Sequence, residues 1–564
     1  MDSAGARLPG RDPRRPTPTA LTAAGIAVVL VVYAALAWDR RWIADDGLIV
    51  VRSVREILAG HGPVYSAFER AEPTTSTAWL WLLAGCAWLT GAGAARLAVV
   101  LGGVLAVAGL AIALDATRRL HRARGATGAL VPAGALVVLA VFPFWDYATS
   151  GLETGLTICW LAVIWWLLGT LRPESSARWL AIVALVFGLG PLVRPDLALA
   201  TAVFGAAGWL IVRPSWRRAL VLVAAALALP AAYEVFRAGY YGALVPLPAL
   251  AKSASSAEWH RGYLYLMRYV KPHLLYVPAA ALVVLAVVDR RSRATRDVIV
   301  SAAPIVTAAL LTAFLVRVGG DFMHGRLMVA PTLLAIAPAL VVPVRRWSVP
   351  ALLALVAWAG YLEVEFVPGT RRLFQDERMD YQRYTGQRNP TSEDDYARVL
   401  PGIAASVATA LHDEKSVLLA EAGDRLAMNP RHDALVSLAV GRLGIGGVLA
   451  PLDGIVVDTL GLANPLGARI TRTQPGATGH EKALPWAWVL ADFADPSVTE
   501  GAPPAAIAAA RHAMTCGELA ELLASVREPM TVSRFVANLT GAWRRTRLVI
   551  PADPVEAEAR FCAP

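Results

Sequence analysis

The sequence ALTAAGIAVVLVVYAALAW (residues 20–38) is followed directly by DRRWIADDG (residues 39–47). The first stretch carries no charge and is long enough to cross a bilayer, which takes roughly 20 apolar residues. The second stretch places two adjacent carboxylates, Asp45 and Asp46, just beyond this predicted span. Because charge at a membrane boundary costs free energy unless it is paired or hydrated, these carboxylates are candidates for function.

The rest of the chain repeats the apolar pattern of this first stretch. It has 564 residues, of which 56% are hydrophobic and 17% charged, and its mean hydropathy is +0.50. These values exclude an ordinary soluble protein and predict a polytopic α-helical membrane bundle of about 11 spans. The predicted spans are residues 20–38, 95–116, 127–143, 152–170, 178–191, 197–213, 218–235, 272–289, 298–316, 327–343 and 348–366.

Basic residues predict how this bundle is oriented. Short loops rich in arginine stay in the cytoplasm. Such clusters lie at residues 7–15, 118–124, 172–178, 213–218, 290–296 and 345–346. They all fall on one side if residues 77–91 lie along the outer surface without crossing, and the N-terminus is then inside. The net charge of +10 reflects these loops, so no nucleic-acid binding is predicted.

This orientation divides the chain into three regions. Residues 1–19 form a cytoplasmic tail, and residues 20–366 form the transmembrane domain, whose first outer loop covers 39–94. Residues 367–564 form an extracytoplasmic domain after the last span. The protein is therefore expected in the plasma membrane, with its site facing outward.

The extracytoplasmic region alternates short apolar runs with helical patterns, which predicts an α/β domain. The predicted strands are 416–420, 454–457 and 488–491, and the predicted helices are 396–411, 504–511 and 516–526. Cys516 and Cys562 both fall in this region, where disulfides persist, and we expect them to pair.

The outer loops differ in composition from the inner loops. Inner loops carry arginine and little else, whereas outer loops combine carboxylates and cations with aromatic residues and with Gly or Pro. This one-sided clustering predicts a site at the outer mouth of the bundle. The candidates for phosphate and sugar binding are Arg70, Glu72, Asp146, Tyr147, Glu153, Arg194, Tyr240, Tyr241, Lys252, Asp321, His324 and Arg326.

Structural roles stay open for several of these candidates. Arg194 can pair with Asp196 at a helix break, and Glu153 can cap the helix that follows it. The tyrosines can belong to an interfacial aromatic belt, and His324 can be a hydrogen-bonded structural histidine. The two carboxylates of the first loop can cap the helix predicted at 48–58.

The motifs that the sequence contains and lacks also limit the reactions that the protein is expected to catalyse. The sequence has no glycine-rich phosphate loop, no Cys/His metal spacing and no nucleophile elbow. A sugar activated on polyprenyl phosphate needs cations for its phosphate, an apolar groove for its chain and a carboxylate at the reacting centre. No cofactor and no metal site are predicted. The carboxylates are compatible with a divalent cation, but no ligand spacing demands one.

Five motifs resemble one family. They are IADDGLI (43–49), TSGLETG (149–155), GGDFMHGR (319–326), DTLGLANPLGAR (458–469) and GHEKALPWAW (479–488). Together they resemble the terminal β-(1→2)-arabinofuranosyltransferase family (AftB) of mycobacteria and related actinobacteria. One departure is LPALAK (247–252), which lacks an Asn expected in the relatives.

The resemblance implies a GT-C glycosyltransferase, a multi-span bundle with its active site outside. The donor would be decaprenyl-phosphoryl-arabinofuranose. The acceptor would be the non-reducing ends of cell-wall arabinan, in arabinogalactan or lipoarabinomannan. Asp45 and Asp46 would carry catalysis, with Asp45 favoured as the essential carboxylate. The family implies a β-linked donor and product, so the configuration would be retained, either through a covalent intermediate or by attack on one face.

The external domain would help to hold the acceptor. The residues expected there are Asn464, His480, Glu481, Lys482 and Trp486. Three alternatives stay open: a GT-C transferase for another sugar such as mannose, a membrane transporter or flippase, and a non-catalytic glycan-binding protein. A transporter usually shows repeated halves, and this sequence shows no internal repeat.

Overall fold

The computed structural model describes residues 17–253, 256–288, 294–365, 376–476 and 478–563. Three predicted features lie at least partly outside these ranges. They are the basic tail before the first span, the inner basic loop at 290–296, and the junction near residue 367 between the two predicted domains.

The N-terminal part is almost entirely helical. Its helices are α1 (Pro18–Asp39), α2 (Asp45–Leu58), α3 (Thr77–Thr90), α4 (Ala94–Ala123), α5 (Ala135–Ala140), α6 (Pro143–Asp146), α7 (Thr154–Leu168), α8 (Ala177–Gly188), α9 (Gly190–Val193), α10 (Ala198–Val212), α11 (Trp216–Tyr240), α12 (Leu247–Ala251), α13 (Trp259–Val270), α14 (Tyr276–Val288), α15 (Thr295–Arg317), α16 (Val329–Ile336) and α17 (Val349–Glu365). Two short strands, β1 (Leu130–Val131) and β2 (Val342–Pro343), pair antiparallel. Short 3-10 turns lie at Tyr147–Thr149, Pro195–Leu197, Arg326–Met328, Ala337–Ala339 and Arg346–Ser348.

Several helices identify a membrane protein. Among the described residues, α1, α4, α11, α15 and the continuous stretch Pro195–Val212 are long and apolar enough to cross a bilayer. A sixth is formed if Pro143–Thr149 and Thr154–Leu168, which meet at 112°, count as one span. The number of eleven spans therefore stays a prediction. Helix α3 has 14 residues and is followed by Gly91 in the left-handed conformation, and its position on the membrane surface stays a prediction.

Two predicted spans are not continuous helices. The stretch 127–143 contains β1 followed by the six-residue α5, because Pro132 lacks the N–H that a helix would need there. The stretch 327–343 ends in β2, whose residues pair with β1. The two stretches are thus joined to each other as a small sheet.

The C-terminal part contains nine helices and a sheet in its described residues. The helices are α18 (Glu377–Thr385), α19 (Glu393–Tyr396), α20 (Pro401–His412), α21 (Leu443–Leu449), α22 (Trp486–Phe493), α23 (Pro504–Ala513), α24 (Gly517–Arg527), α25 (Val532–Arg547) and α26 (Pro554–Phe561), with a 3-10 turn at Gly467–Arg469. The strands are β3 (Val417–Ala420), β4 (Arg425–Ala427), β5 (Val436–Val440) and β6 (Ile455–Asp458). Their order is β4-β3-β5-β6, with β4 antiparallel at the edge and the others parallel.

Two predictions for this part are wrong. The apolar run 488–491 lies in helix α22, not in a strand; such a short run, buried throughout, looks the same in either structure. The helix predicted at 396–411 is split into α19 and α20, because Pro401 favours the first position of a new helix. The predicted strands 416–420 and 454–457 correspond to β3 and β6. A disulfide joins Cys516 to Cys562 and ties α26 to the start of α24.

Helix α2 docks directly on the C-terminal part. The Arg52 guanidinium is buried, and its Nη1 donates to the carbonyls of Gly447 (3.0 Å) and Ala450 (2.6 Å). Its charge is paired with Glu56 at 2.9 Å. Ile49 packs into the same core as β3 and β5. The N-terminus of α2 is therefore held between the bundle and the sheet.

Candidate active site

Asp45 and Asp46 are the first two residues of α2. Anions are favoured at this end of a helix by its dipole, but the N-cap residue is Ala44, so the two carboxylates do not occupy the capping position considered from the sequence. The turn before them is fixed because the N–H of Ala44 donates to the carbonyl of Ser150 at 2.8 Å. A Cβ on Gly47 would lie 3.0 Å from that same oxygen, so the two segments approach closely.

The Asp45 carboxylate contacts the C-terminal part with both oxygens. It accepts hydrogen bonds from the N–H groups of Gly444 (3.0 Å) and Ile445 (2.9 Å). Its own N–H donates to Glu377 at 3.2 Å. Burial raises the pKa of Asp45 to about 7, against the effect of the two N–H donors, and the charge of Asp46 adds to the rise. Asp45 therefore fixes the contact between α2 and α21.

The Asp46 carboxylate is held more loosely. Its Oδ2 lies 3.4 Å from Nη1 of Arg326, and the same guanidinium makes a closer contact of 2.7 Å with Asp321. The Asp46 side chain keeps 21% of its surface exposed. Of the two neighbouring carboxylates, Asp46 is thus the one with room for another group.

Asp46 lines a cavity of about 210 Å³ beside α2 and the C-terminal end of α15, here called the bundle cavity. Apolar side chains of α2 and α15 form part of its wall, among them Ile49, Leu315 and Val318. Its charged residues are Asp46, Glu153, Arg194, Asp196, Lys252, Asp321 and Arg326. Six of these seven were candidates from the sequence, and Asp196 was considered as the partner of Arg194.

A second cavity of about 200 Å³ lies between the bundle and the C-terminal part, and we call it the interdomain cavity. It is rich in carboxylates and aromatic rings. Its lining consists of Asp45, Asp46, Lys252, Phe322, Glu377, Asp380, Tyr381, Tyr384, Gly441, Arg442, Leu460, Leu462, Thr478, Gly479 and His480. Asp46 and Lys252 line both cavities, together with Leu462 and Thr478. The two cavities therefore meet at these residues.

The cations of the bundle cavity differ in how they are engaged. Arg194 donates two hydrogen bonds to Asp196, both at 3.0 Å, so the predicted pairing at the helix break describes the structure. Arg326 is paired with Asp321. The Lys252 ammonium makes no hydrogen bond or ion pair with any described residue, whereas its backbone N–H donates to the carbonyl of Pro248. Among the described residues, this ammonium is the unpaired cation of the bundle cavity. An incoming anion would bind it without displacing another partner.

Three charged candidates lie outside both cavities and have structural partners. Arg70 donates to three backbone carbonyls and joins the first loop to the C-terminal helices. Glu72 is paired with Arg237 at 2.7 Å, and Asp146 with Arg40 at 2.8 Å. These residues hold elements together and do not line the predicted donor site.

The aromatic candidates also lie outside the cavities. They are Tyr147, Tyr240, Tyr241 and His324. Tyr241 donates to the carbonyl of Pro63 at 2.6 Å, and the buried His324 stacks on Phe142 at 4.9 Å. Tyr147 is buried beside Trp42. The structure thus places these four residues away from both cavities, and their predicted role in sugar binding stays a prediction.

Of the expected acceptor residues, only His480 lines the interdomain cavity. Asn464 caps its own turn by accepting from the next backbone N–H groups, and Glu481 is paired with Arg261 at 2.6 Å. Lys482 donates to two backbone carbonyls at 2.8 Å each, and burial lowers its pKa to about 8. Trp486 packs against the core of the C-terminal part.

The interdomain cavity also contains residues that the sequence did not point to. Glu377, Tyr381 and Tyr384 come from α18, and Arg442 precedes α21. Burial raises the pKa of Glu377 well above its usual range, and the neighbouring charges of Asp46 and Asp45 act in the same direction. The spacing of residues 377, 381 and 384 places them on one helix face. This spacing is visible in the sequence and could have indicated a shared role for the three side chains.

Comparison with known sequences gives a consistent result. The model of the AftB family C-terminal domain matches residues 404–559. The terminal β-(1→2)-arabinofuranosyltransferase of Mycobacterium tuberculosis is 35% identical, over 94% of this chain and 95% of its own length. The protein of the same name from Corynebacterium glutamicum is 34% identical, over 92% of this chain and 84% of its own length.

Two solved structures are more distant. ArnT from Cupriavidus metallidurans bound to undecaprenyl phosphate aligns with a TM-score of 0.41 and 17% identity, over 94% of this chain and 89% of its own. Its apo form gives the same TM-score with 15% identity, over 96% and 88%. Such scores support no comparison of residues or topology. The sequence relatives, which match nearly the whole chain, show that this protein belongs to the terminal β-(1→2)-arabinofuranosyltransferase family.

Proposed function

We propose that the protein transfers arabinofuranose from decaprenyl-phosphoryl-arabinofuranose to the non-reducing ends of cell-wall arabinan, forming terminal β-(1→2) linkages. It would act as a multi-pass GT-C enzyme at the outer face of the plasma membrane. The observation that carries this proposal is the meeting of two cavities at Asp46 and Lys252, in a chain of this family.

The bundle cavity suits the donor. Its apolar wall from α2 and α15 faces the bundle, where the first isoprene units of a lipid donor can lie. Its two arginines are already paired with carboxylates, whereas Lys252 is unpaired among the described residues. A phosphate bound by Lys252 would gain a charge-assisted hydrogen bond without breaking an existing ion pair.

The interdomain cavity suits a sugar acceptor. Carboxylates such as Asp380 and Glu377 accept hydrogen bonds from hydroxyl groups, and Tyr384 and His480 offer ring faces and polar tips. The cavity is bounded by both parts of the chain, so a polysaccharide end can enter between them. An acceptor hydroxyl placed here would reach the shared boundary at Asp46.

Asp46 is the better placed of the two carboxylates to act on the reacting atoms. In the transfer, the acceptor 2-hydroxyl oxygen bonds to C1 of arabinofuranose, the bond from C1 to the phosphate oxygen breaks, and polyprenyl phosphate leaves. The hydroxyl proton must pass to a base. Asp46 lines both cavities and is partly exposed, whereas both Asp45 oxygens already accept backbone hydrogen bonds. We therefore assign Asp46 to the reaction and Asp45 to positioning, which reverses the preference drawn from the sequence.

Transfer of radiolabelled arabinose from synthetic polyprenyl-phosphoryl-arabinofuranose to a short arabinan tests the proposal with the purified protein. The expected product carries a new terminal β-(1→2) residue, identified by linkage analysis. Activity only with a mannosyl donor would overturn the sugar assignment. No transfer from any lipid-linked sugar by folded protein would overturn the reaction class.

A further inference from the structure

We propose that helix α25 of the C-terminal part lies in the surface of the bilayer and holds this part against anionic lipid headgroups. The inference goes beyond sugar transfer and does not depend on it. It rests on the two faces of α25, on the neighbour that α25 packs against, and on the charges beside its apolar face.

One face of α25 is apolar and exposed. Val532, Val536, Leu539 and Trp543 keep 84%, 51%, 38% and 61% of their surface exposed. Their spacing of i, i+4, i+7 and i+11 places them in one stripe along the helix. A stripe of this kind with a Trp at one end is typical of helices that lie in the interface between water and lipid.

The opposite face of α25 is fixed in the protein. Asn538 is buried and donates to the carbonyl of Ser525 at 2.8 Å. Arg545 is also buried and donates to the carbonyl of Gly242 at 3.0 Å. These bonds set the rotation of α25 about its axis, so the apolar stripe cannot turn inward.

The neighbour of α25 is a helix that can cross the membrane. The ring of Phe535 packs against Gly239, near the outer end of α11. Helix α11 is exposed along most of its length, with Leu227 and Val235 keeping 55% and 51% of their surface. Around the axis of α25, Phe535 lies next to the stripe, so the exposed stripe continues the surface that α11 presents to lipid.

The charges beside the stripe match an anionic surface. Arg544 and Arg547 lie in the last turn of α25, and the Arg547 guanidinium stands 5.3 Å from the centre of the Trp543 ring. Neither arginine is ion-paired with a residue in the described part of the chain. Arg534, in contrast, is neutralised by Glu521 and Glu528. Near an anionic membrane, arginines without an ion-pair partner are attracted to the lipid headgroups.

An anchor at this position has a consequence for the site. Helix α25 holds the segment after α11 through Gly242, and the C-terminal part also covers the interdomain cavity. Contact with lipid at α25 would keep that cavity at a constant height above the bilayer.

Depth-dependent quenching tests the proposal on the full-length protein. Val536→Cys and Ala537→Cys are compared in a background lacking the free cysteines Cys86 and Cys159. Both positions are exposed, but they point about 100° apart on the helix. Each is labelled with bimane in nanodiscs of phosphatidylcholine and phosphatidylglycerol, and quenched by doxyl lipid or by aqueous iodide.

We expect doxyl lipid to quench position 536 several-fold more than 537, with the reverse order for iodide. Equal iodide quenching at both positions would place the stripe in water and overturn the proposal. Weak quenching of 536 by both agents would mean that protein covers the stripe, which also overturns it. Combined Arg544→Gln and Arg547→Gln changes should reduce lipid quenching at 536 only when phosphatidylglycerol is present; no reduction would overturn the anionic-lipid assignment.

Discussion

The two cavities that meet at Asp46 are built in different ways. The bundle cavity has an apolar wall and charges that are mostly paired within a few residues of one another, such as Arg194 with Asp196. The interdomain cavity gathers carboxylates and rings from segments hundreds of residues apart in the chain, including α18 and the turn at Gly479–His480. The bundle cavity suits a lipid phosphate and the interdomain cavity a sugar chain. A substitution in one cavity should therefore impair use of a different substrate from a substitution in the other.

The largest effect is expected at the carboxylate that both cavities share. Asp46→Asn keeps the size of the side chain and removes its basicity, so kcat should fall by about 10³-fold, within the range that general base catalysis contributes. The measurement is the single-turnover rate of arabinose transfer. Asp45→Asn is the matched control, and loss of one hydrogen bond to a charged group should cost about 10- to 100-fold. Abolished transfer in Asp45→Asn together with an active Asp46→Asn would exchange the two roles.

Two smaller effects, on the KM for the donor and on the KM for the acceptor, should distinguish the roles of the two cavities. Lys252→Met removes the cation that is unpaired among the described residues, so the KM for the donor should rise by about 10- to 100-fold, as expected for a lost charge-assisted bond. Lys252→Arg should recover part of it. His480→Ala should raise the KM for the arabinan acceptor and leave that for the donor nearly unchanged.

Equal effects of the Lys252 and His480 variants on both substrates would contradict the division. In that case the two cavities would act as one site, and the difference in their lining would have no kinetic meaning. Titrating each substrate while the other saturates distinguishes the two outcomes.

The difference between the cavities also explains what the sequence can predict. Asp46, Glu153 and Arg194 could be found because each stands at the end of an apolar run, a property of the local sequence. The membrane class follows from the same runs. The short helices between the long ones could not be derived, because breaks at residues such as Pro132 depend on packing as well as on hydropathy.

The interdomain cavity was largely hidden from the sequence. The contact between Asp45 and Gly444 joins residues 399 positions apart, and no local pattern encodes such a pairing. Glu377 belongs to a segment that resembles a polar connection, and its role depends on burial next to Asp45. Conversely, Asn464 and Lys482 stand in distinctive motifs, yet Asn464 accepts from the N–H of Leu466 and Lys482 donates to the carbonyls of Leu250 and Ala468.

A third test addresses the contact that closes the interdomain cavity. A Cβ on Gly444 would lie 2.1 Å from the backbone oxygen of Asp45, so Gly444→Ala must push α21 away from α2. We expect a loss of about 1–3 kcal/mol in the free energy of unfolding, typical of overpacking, together with a raised KM for the acceptor. Gly402→Ala is the control, because a Cβ there would meet no atom within 4 Å and Gly402 lines neither cavity. Equal stability of the two variants would show that the α2–α21 contact is not tight.

The smallest effect concerns the proton on Asp45. Its folded pKa of about 7 lies above the value of roughly 3.9 in an unfolded chain. The folded protein therefore holds this proton more tightly, and ionisation of Asp45 destabilises the fold progressively as the pH rises from about 4 to about 7. Asn has no proton to lose. The free energy of unfolding of Asp45→Asn, relative to wild type, should thus rise between about pH 5 and pH 7 by at most about 1.4 kcal/mol per pH unit and then level off, and the difference in Tm should follow it.

The same experiment on Asp46→Asn sharpens the assignment. The charge of Asp46 contributes to the raised pKa of Asp45, so its removal should lower that pKa and shift the pH-dependent loss of stability to lower pH. Thermal unfolding of the three proteins in one detergent, at about half-unit pH steps, measures both effects. A difference between Asp45→Asn and wild type that stays constant over this range would mean that Asp45 is ionised throughout. Its contact with Gly444 and Ile445 would then be a permanent salt-like cap, and not a group that titrates near neutral pH.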